Sequence, residues 1–407
     1  MRRLTPWAQR RLERSLTTRP LIYGGNRIEL LRSGAEYFPR LLAAIADARA
    51  SIHLETYIFE LDAVGERVVD ALLDAASRGV AVHLLVDAFG SAKAVPSLRE
   101  RLTAGGVRFR VFRPGLWWRL ERRLLRRLHR KIVLVDDRLA FVGGINIIDD
   151  HHHPGVDGAD IGPRYDFAVA CEGPLVALIT FVVRRLWWSV AAVGERRPGD
   201  APPRHVEPSP PLPENVRAAL LLRDNLRHRR TIEHAYLEAI EGAHRDILLA
   251  NAYFLPGRRL RRALCDAAAR GVRVRLLLQG RVEYRLQHYA QQALYGDLVR
   301  AGVAIHEYTP SFLHAKVAVV DDVWSTVGSS NIDPYSLLLA REANVAVIDR
   351  DFAVQLRSEL ERAIEQESVL VHAPALAQRG WMKRAAYRIA YSVVRLITFV
   401  ATRRVEA

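Results

Sequence analysis

Short apolar runs alternate with amphipathic stretches along most of the chain, and the alternation occurs twice. A helical stretch from Leu41 to Ala50 leads into the β-rich run from Ile52-His53-Leu54 through Phe59. A second helix then closes at Gly79 and another strand follows. The later copy keeps the order: a helix from Tyr236 to Ala243, the run Ile247-Leu248-Leu249 through Phe254, a helix closing at Gly271, and a strand. Ala71–Leu85 returns as Ala263–Leu277, displaced by 192 residues, and the preceding strand run returns displaced by 195. Strands alternating with helices predict α/β layers around a mostly buried sheet. The expected fold is therefore α/β: two duplicated domains, each a mixed β-sheet flanked by helices, packed as a pseudo-dimer.

Seven of the 19 prolines fall within residues 198–213, which reads as a stiff linker between the copies. The expected organisation is a basic arm at 1–19, a first domain at 20–197, the linker at 198–213, a second domain at 214–370 and a tail at 371–407. The 407 residues are 50% hydrophobic and 26% charged, which excludes a largely disordered chain. Cys171 and Cys265 cannot form a disulfide framework and fit a reducing compartment. No apolar run reaches the roughly 18 residues of a membrane span, and the first residues lack a signal-peptide core. The expectation is a protein on the cytoplasmic side.

The net charge of +15 changes the picture because it is local. Residues 1–19 hold six Arg, residues 113–131 hold seven Arg and one Lys, and residues 379–407 hold six Arg and one Lys. These segments account for the whole surplus over an otherwise near-neutral body. Such patches predict a polyanionic partner, either nucleic acid or an anionic membrane.

Each copy also carries one spaced constellation. The first runs His129-Arg130-Lys131, then Asp136, Gly143-Gly144 and Asn146; the second runs His314-Ala315-Lys316, then Asp321, Gly328-Ser329 and Asn331. In a strand, positions i and i+2 face one way, so each His converges with its Lys. Asp136 and Asp321 fall at the other parity, where turns begin, and are expected to have a positioning role. The small residues permit close backbone approach, and the Asn amides can donate to an anion.

Two copies meeting at these faces would put two His, two Lys and two Asn around one pocket, a set suited to metal-free phosphodiester chemistry. One neutral His attacks phosphorus while the other, protonated, donates to the leaving oxygen. The Lys and Asn side chains then neutralise the non-bridging oxygens. A nucleophilic His needs an acceptor on its other ring nitrogen, and Asp166 and Glu342 are the candidates.

These residues resemble the phospholipase D superfamily, marked by two His-x-Lys-x4-Asp motifs in one chain. The resemblance is closest to bacterial cardiolipin synthases without transmembrane helices and covers nearly all of residues 20–370. Supporting stretches are Ser51–Phe59, Gly143-Gly144-Ile145-Asn146 and Gly328-Ser329-Ser330-Asn331-Ile332-Asp333-Pro334. It implies phospholipase D-like domains and transfer of a phosphatidyl group through phosphohistidine to an alcohol. His129 is favoured as nucleophile, with His129, Lys131, Asp136, His314, Lys316 and Asp321 as the catalytic set. It also implies that Asp166 and Glu342 support the histidines, without saying which serves which. In the second copy Tyr335-Ser336 and Ala340-Arg341-Glu342 replace the family's usual Arg-Ser and Asn-x-Glu.

The superfamily includes nucleases, so the basic patches must separate lipid from nucleic acid. The first copy has an insertion before its histidine, where Leu116, Leu120, Leu124 and Leu128 recur every four residues. Trp117 and Trp118 stand at its entrance and Arg119, Arg122 and Arg123 on its other faces, the pattern of an interfacial helix. In the tail, Met382, Ala385, Ala386, Ile389, Val393, Leu396 and Val400 share a face while Arg384, Arg388 and Arg395 share another. Arg388 and Arg395 interrupt any span, so this helix is expected to lie in the interface.

Aromatics accompanied by aliphatic stripes, rather than a polar stacking surface, favour lipid and disfavour nucleic acid. The run Asp149-Asp150-His151-His152-His153 lacks metal-ligand spacing and reads as a loop. The expected enzyme is thus a peripheral protein of the cell membrane, on its cytoplasmic side, acting on an anionic phospholipid surface. Phosphatidylglycerol is the expected substrate and phosphatidylethanolamine a second candidate. No cofactor, metal or obligate protein partner is expected. The alternatives are a phospholipase D-type hydrolase, a transphosphatidylase using another alcohol, a metal-independent nuclease, and a lipid-binding scaffold.

Overall fold

The computed structural model describes residues 20–113, 127–153, 161–193, 202, 206–224, 228–333 and 340–406. The first copy runs β1 (Tyr23–Arg32), α1 (Ser33–Asp47), β2 (Ser51–Thr56), α2 (Ala63–Ser77), β3 (Ala81–Asp87), α3 (Val95–Ala104) and β4 (Arg108–Phe112). It continues with β5 (Arg127–Leu128), β6 (Lys131–Val135), β7 (Leu139–Gly143), β8 (Phe167–Glu172) and α4 (Leu175–Val193). The second copy runs β9 (Val216–Arg223), α5 (Thr231–Glu241), β10 (Asp246–Asn251), α6 (Arg258–Ala269), β11 (Arg273–Gln279), α7 (Arg285–Arg300) and β12 (Ala304–Tyr308). After it come β13 (Lys316–Val320), β14 (Trp324–Gly328), β15 (Ala340–Ile348), α8 (Arg350–Glu367), β16 (Ser368–Leu370), α9 (Ala373–Ala377) and α10 (Trp381–Glu406).

The duplicated sequence makes a duplicated sheet. One half is ordered β4-β3-β2-β6-β7-β8-β1 and the other β9-β15-β14-β13-β10-β11-β12. The halves join where β1 pairs antiparallel with β9, Tyr23 opposite Ala218 and Asn26 opposite Val216. In each half the three outer strands are parallel and the strands that carry the motifs run antiparallel to them.

Local chemistry explains the repeated helix–strand unit. The Asp62 side chain caps α2 by accepting from the N–H groups of Val64 and Gly65. Its apolar stripe of Val68, Val69, Leu72 and Ala75 is buried against the sheet. Each such Leu or Val contributes roughly 1.5–3 kcal/mol by leaving water. The unit ends at Gly79, and its copy at Gly271, with φ of +90° and +89°, a left-handed turn that admits glycine at no steric cost. Helices α1–α3 cover one outer face and α5–α7 the other. Between them lies a shared core, built from the inner faces of both half-sheets with α4 and α8. Val182 and Val183 of α4 are buried in this core with Phe181 packed against it, and Trp187 is buried in a smaller cluster with Leu85, Phe112 and Leu128.

The tail helix α10 buries Ala390 and Val394 against the cluster that includes α7. Trp381, Met382, Ile389, Val393, Leu396 and Ile397 remain exposed. No helix among the described residues is long and apolar enough to cross a membrane.

Candidate active site

The two motifs meet at the seam of the pseudo-dimer, and the chain crosses over there. Strand β5, just before His129, pairs with the start of β15, placing Arg127 opposite Ala340 and Leu128 opposite Arg341. The His129 N–H donates to the Arg341 carbonyl at 3.0 Å. Reciprocally, Leu313 bridges Tyr165, and the His314 N–H donates to the Tyr165 carbonyl at 2.8 Å. The residue after each of these carbonyls is an acid. Each histidine is therefore held beside the acid of the opposite copy.

His129 Nδ1 lies 2.9 Å from Glu342 Oε1, and His314 Nδ1 lies 2.6 Å from Asp166 Oδ2. Both acids are buried, while the two imidazoles keep about a sixth of their surface open, at 17% and 16%. With Nδ1–H given to a carboxylate, each ring presents Nε2 for chemistry. The question the sequence left open, which acid serves which histidine, has a crossed answer.

The small residues of the motifs make room for these acids. A Cβ on Gly144 would lie 2.3 Å from Asp166 Oδ1, so glycine is needed for that carboxylate to sit there. The equivalent Ser329 instead donates its hydroxyl to Glu342 Oε2 at 2.5 Å. Glu342 is raised by burial, but attraction to His129 and Lys131 and the serine bond outweigh this and hold it below the usual carboxylate range. Asp166, lacking a hydroxyl donor, is pushed up to about 6 by burial.

Burial lowers both histidines, His314 well below its ordinary value with Lys316 and Lys131 adding to the effect. Lys131 and Lys316 are buried and held at about 7 and about 8, burial being the leading cause in each. Lys131 Nζ donates to the His129 carbonyl at 2.7 Å, and Lys316 Nζ to the His314 carbonyl. A site with two buried cations that resist their charge is short of an anion, which a bound phosphodiester would supply.

Asp136 and Asp321, grouped above with the catalytic set, lie elsewhere. Each follows the far end of its strand, five residues beyond the lysine, and starts a turn with φ of 52° and 54°. Asp136 accepts from the N–H groups of Arg49, Ala50 and Ser51 at 2.7–2.9 Å. Asp321 accepts from His244, Arg245 and Asp246 at 2.7–2.8 Å. These carboxylates tie the motif hairpin to the start of the neighbouring strand and do not reach the histidines.

Asn146 is buried, with its side-chain oxygen accepting from the Ile58 N–H at 3.1 Å, which leaves its amide hydrogens to donate. Asn331 is buried and its side-chain oxygen has no partner. In the acidic and histidine run, Asp150 accepts from the Gly34 N–H at 2.5 Å and His153 lies 3.2 Å from the Gly162 carbonyl. Among the described residues no cluster could hold a metal ion. Trp117, Trp118, Arg119, Arg122 and Arg123 lie outside the described residues. Arg388 and Arg395 are on exposed positions of α10.

Three neighbours of the site, Tyr57, Asp87 and Gln279, carry no motif in the sequence. The Tyr57 ring sits 4.9 Å from the His129 ring, and Lys131 Nζ lies 5.6 Å from its centroid. Asp87 accepts the N–H of Leu128 at 2.8 Å, and its counterpart Gln279 accepts that of Leu313 at 3.1 Å. Each of these fixes the residue before a histidine. Their position at the ends of the repeated strands was the available signal.

The family described as "Cardiolipin synthase, PLD-like domain" matches residues 41–152 and 236–364. The chain is 40% identical over 386 residues to cardiolipin synthase B of Salmonella typhimurium, covering 91% of this chain and 88% of that protein. It is 33% identical over 345 residues to cardiolipin synthase A of Pseudomonas putida, covering 84% and 69%. Among solved structures, phosphatidylserine synthase of Haemophilus influenzae superposes with a TM-score of 0.71 at 15% identity, covering 97% of this chain and 98% of that one. That last likeness bears on the fold alone.

Proposed function

We propose that this chain, which belongs to the family of cardiolipin synthases with a phospholipase D-like domain, makes cardiolipin by moving a phosphatidyl group to the glycerol hydroxyl of phosphatidylglycerol. It is a phosphatidyltransferase of the phospholipase D superfamily. The observation that carries the finer reading is the crossed pairing of His129 with Glu342 and His314 with Asp166 in one pocket.

In the first step, neutral His129 attacks through Nε2, forming an N–P bond as the P–O bond to the donor head group breaks. Glu342, held ionised, takes up the charge that grows on the imidazole. His314 carries the proton to the departing alkoxide; the incoming phosphodiester charge opposes the two lysines that disfavour its protonation. In the second step, His314 removes the proton from the acceptor hydroxyl, the new O–P bond forms and the N–P bond breaks. Lys131, Lys316 and the amides of Asn146 and Asn331 stabilise the non-bridging oxygens throughout. Asp136 and Asp321 act as positioning residues.

The lipid surface is met peripherally, on the cytoplasmic side, through the exposed apolar positions of α10 flanked by Arg388 and Arg395. The substrates are phosphatidylglycerol and, as a second donor, phosphatidylethanolamine.

Purified protein incubated with phosphatidylglycerol vesicles, with and without phosphatidylethanolamine, tests this by lipid mass spectrometry. Cardiolipin from the wild type and none from His129→Ala or His314→Ala supports transfer in a shared site. Phosphatidic acid alone would make the protein a hydrolase, and unchanged lipid would overturn the reading.

A further inference from the structure

Equivalent loops of the two copies expose apolar side chains at the site end of the sheet. Each loop follows a strand that fixes the residue before a histidine. Strand β3 ends at Asp87, which holds Leu128, and β11 ends at Gln279, which holds Leu313. Phe89 stands two residues past Asp87 and is 56% exposed. Past Gln279, Val282, Tyr284 and Leu286 are all exposed, Tyr284 at 57%. A single exposed apolar residue is ordinary on a protein surface, but the same placement in both copies is not scatter.

Both loops are built onto the site. Ser91 Oγ bonds the Tyr57 carbonyl and the Phe59 N–H at 3.0 Å, which ties the Phe89 loop to the residue whose ring lies beside His129. The Arg127 guanidinium, two residues before His129, lies 4.9 Å from the centre of the Phe89 ring. In the second copy the Tyr284 ring lies 5.9 Å from that of Tyr253. Tyr253 follows Ala252, whose N–H donates at 3.0 Å to the carbonyl of Ala315, between His314 and Lys316. Glu283, the one acid of this loop, accepts from the Tyr253 hydroxyl and is thus engaged within the protein.

The second loop runs on into the exposed face of the tail. Tyr289 on α7 is exposed, and its ring lies 5.3 Å from that of Tyr387 on α10. Phe89, Tyr284, Tyr289 and Trp381 are the exposed Phe, Tyr and Trp side chains among the described residues, so all of them belong to this one surface. Basic residues border it: Arg127 beside Phe89, Arg281 and Arg285 in the second loop, and Lys383, Arg384 and Arg388 on α10. Aromatic and aliphatic side chains edged by cations match the interfacial layer and the phosphates of an anionic bilayer. A nucleic-acid strand would leave Val282 and Leu286 with nothing to stack on.

We infer that the loops after β3 and β11, together with α10, form one face that seats the active site on an anionic phospholipid bilayer. Phe89, Val282, Tyr284 and Leu286 enter the interfacial layer, and Arg127, Arg281 and Arg285 lie against lipid phosphates. A head group then reaches the two histidines while its acyl chains stay in the bilayer. The inference deepens the lipid-substrate reading by naming the surface that meets the lipid, and vesicle binding tests it without turnover.

The test uses the full chain carrying Cys265→Ser, which leaves only the buried Cys171. A nitrobenzoxadiazole dye is attached at Phe89→Cys, at Leu286→Cys, or at Val323→Cys, an exposed position past the far end of β13. Phosphatidylglycerol vesicles should shift the first two labels to the blue, with quenching by a doxyl-chain lipid, and leave the third unchanged. Phosphatidylcholine vesicles should need roughly tenfold more lipid for the same shift. Without any dye, Phe89→Ser combined with Leu286→Ser should weaken vesicle binding roughly tenfold at unchanged melting temperature, because both side chains are exposed. No vesicle binding, no shift at either loop on bound vesicles, an equal shift at Val323, or a shift caused by single-stranded DNA and not by vesicles would overturn the inference. Insertion by a protein that makes no cardiolipin would leave this face standing and end the transferase reading; cardiolipin made without insertion would do the reverse.

Discussion

The crossed acid–histidine pairs predict that removing either acid will slow transfer, but that only one loss can be repaired by the leaving group. Asp166→Asn removes a carboxylate bonded to His314 Nδ1 at 2.6 Å, and Glu342→Gln removes one bonded to His129 Nδ1 at 2.9 Å. A charge-assisted hydrogen bond of this kind is worth roughly 1.5–3 kcal/mol, and about 1.4 kcal/mol is tenfold in rate. Each variant should therefore lose roughly 10- to 150-fold in kcat with phosphatidylglycerol. The amide can also present its NH2 to the ring and stabilise the wrong tautomer, as in the serine-protease triad, where the cost reaches about 10⁴.

A phosphatidyl donor carrying p-nitrophenol separates the roles, because this group departs without a proton. If His314 is the acid, Asp166→Asn should release p-nitrophenolate in a stopped-flow burst within threefold of wild type. Glu342→Gln should remain slow, since attack itself is impaired. Rescue of Glu342→Gln and not Asp166→Asn would reverse the two histidines. Losses under threefold in both would refute the claim that the buried acids orient the rings.

The lysines give a pH prediction. Each must keep its ammonium charge to hold the phosphate, and burial has lowered both, so kcat/KM should fall as pH rises through about 7 to 8, measured with phosphatidylglycerol vesicles of constant charge. A profile flat to pH 9.5 would contradict this. Asp136→Ala should cost about 2–4 kcal/mol in urea unfolding, because three backbone N–H groups lose their acceptor. Activity per folded molecule should stay within threefold; a large loss of kcat at unchanged stability would return Asp136 to the chemistry. Gly144→Ala should lower kcat at least tenfold by displacing Asp166, while Ser329→Ala should lower it less, because the Glu342 carboxylate keeps His129. Equal activity in Gly144→Ala would show that the carboxylate has another place to go.

The duplicated fold was legible because its signal is local: Asp62 caps, Gly79 and Gly271 terminate, and the stripe from Val68 to Ala75 has helical period. The histidine–lysine motifs were legible through fixed spacing on one strand. What joins them was not. Glu342 reaches His129 across 213 positions, by a two-residue parallel pairing of β5 with β15 that no periodicity marks. Tyr57, whose ring lies 4.9 Å from that of His129, stands in a mainly apolar run with nothing in its spacing to mark it. In the tail, the sequence stripe through Met382, Ile389 and Leu396 is the exposed face. The docked face, with Ala390 and Val394, is too short and small in side chains to stand out.

Transfer through a phosphohistidine requires a covalent intermediate formed in a site that both copies build. Its most direct test is rapid denaturing quench of His314→Ala with a p-nitrophenyl phosphatidyl donor, followed by peptide mass spectrometry at alkaline pH. A phosphatidyl adduct on the peptide bearing His129, absent in His129→Ala, is the predicted result. An adduct on the His314 peptide of the wild type, or product formed with inversion at phosphorus and no adduct, would contradict it.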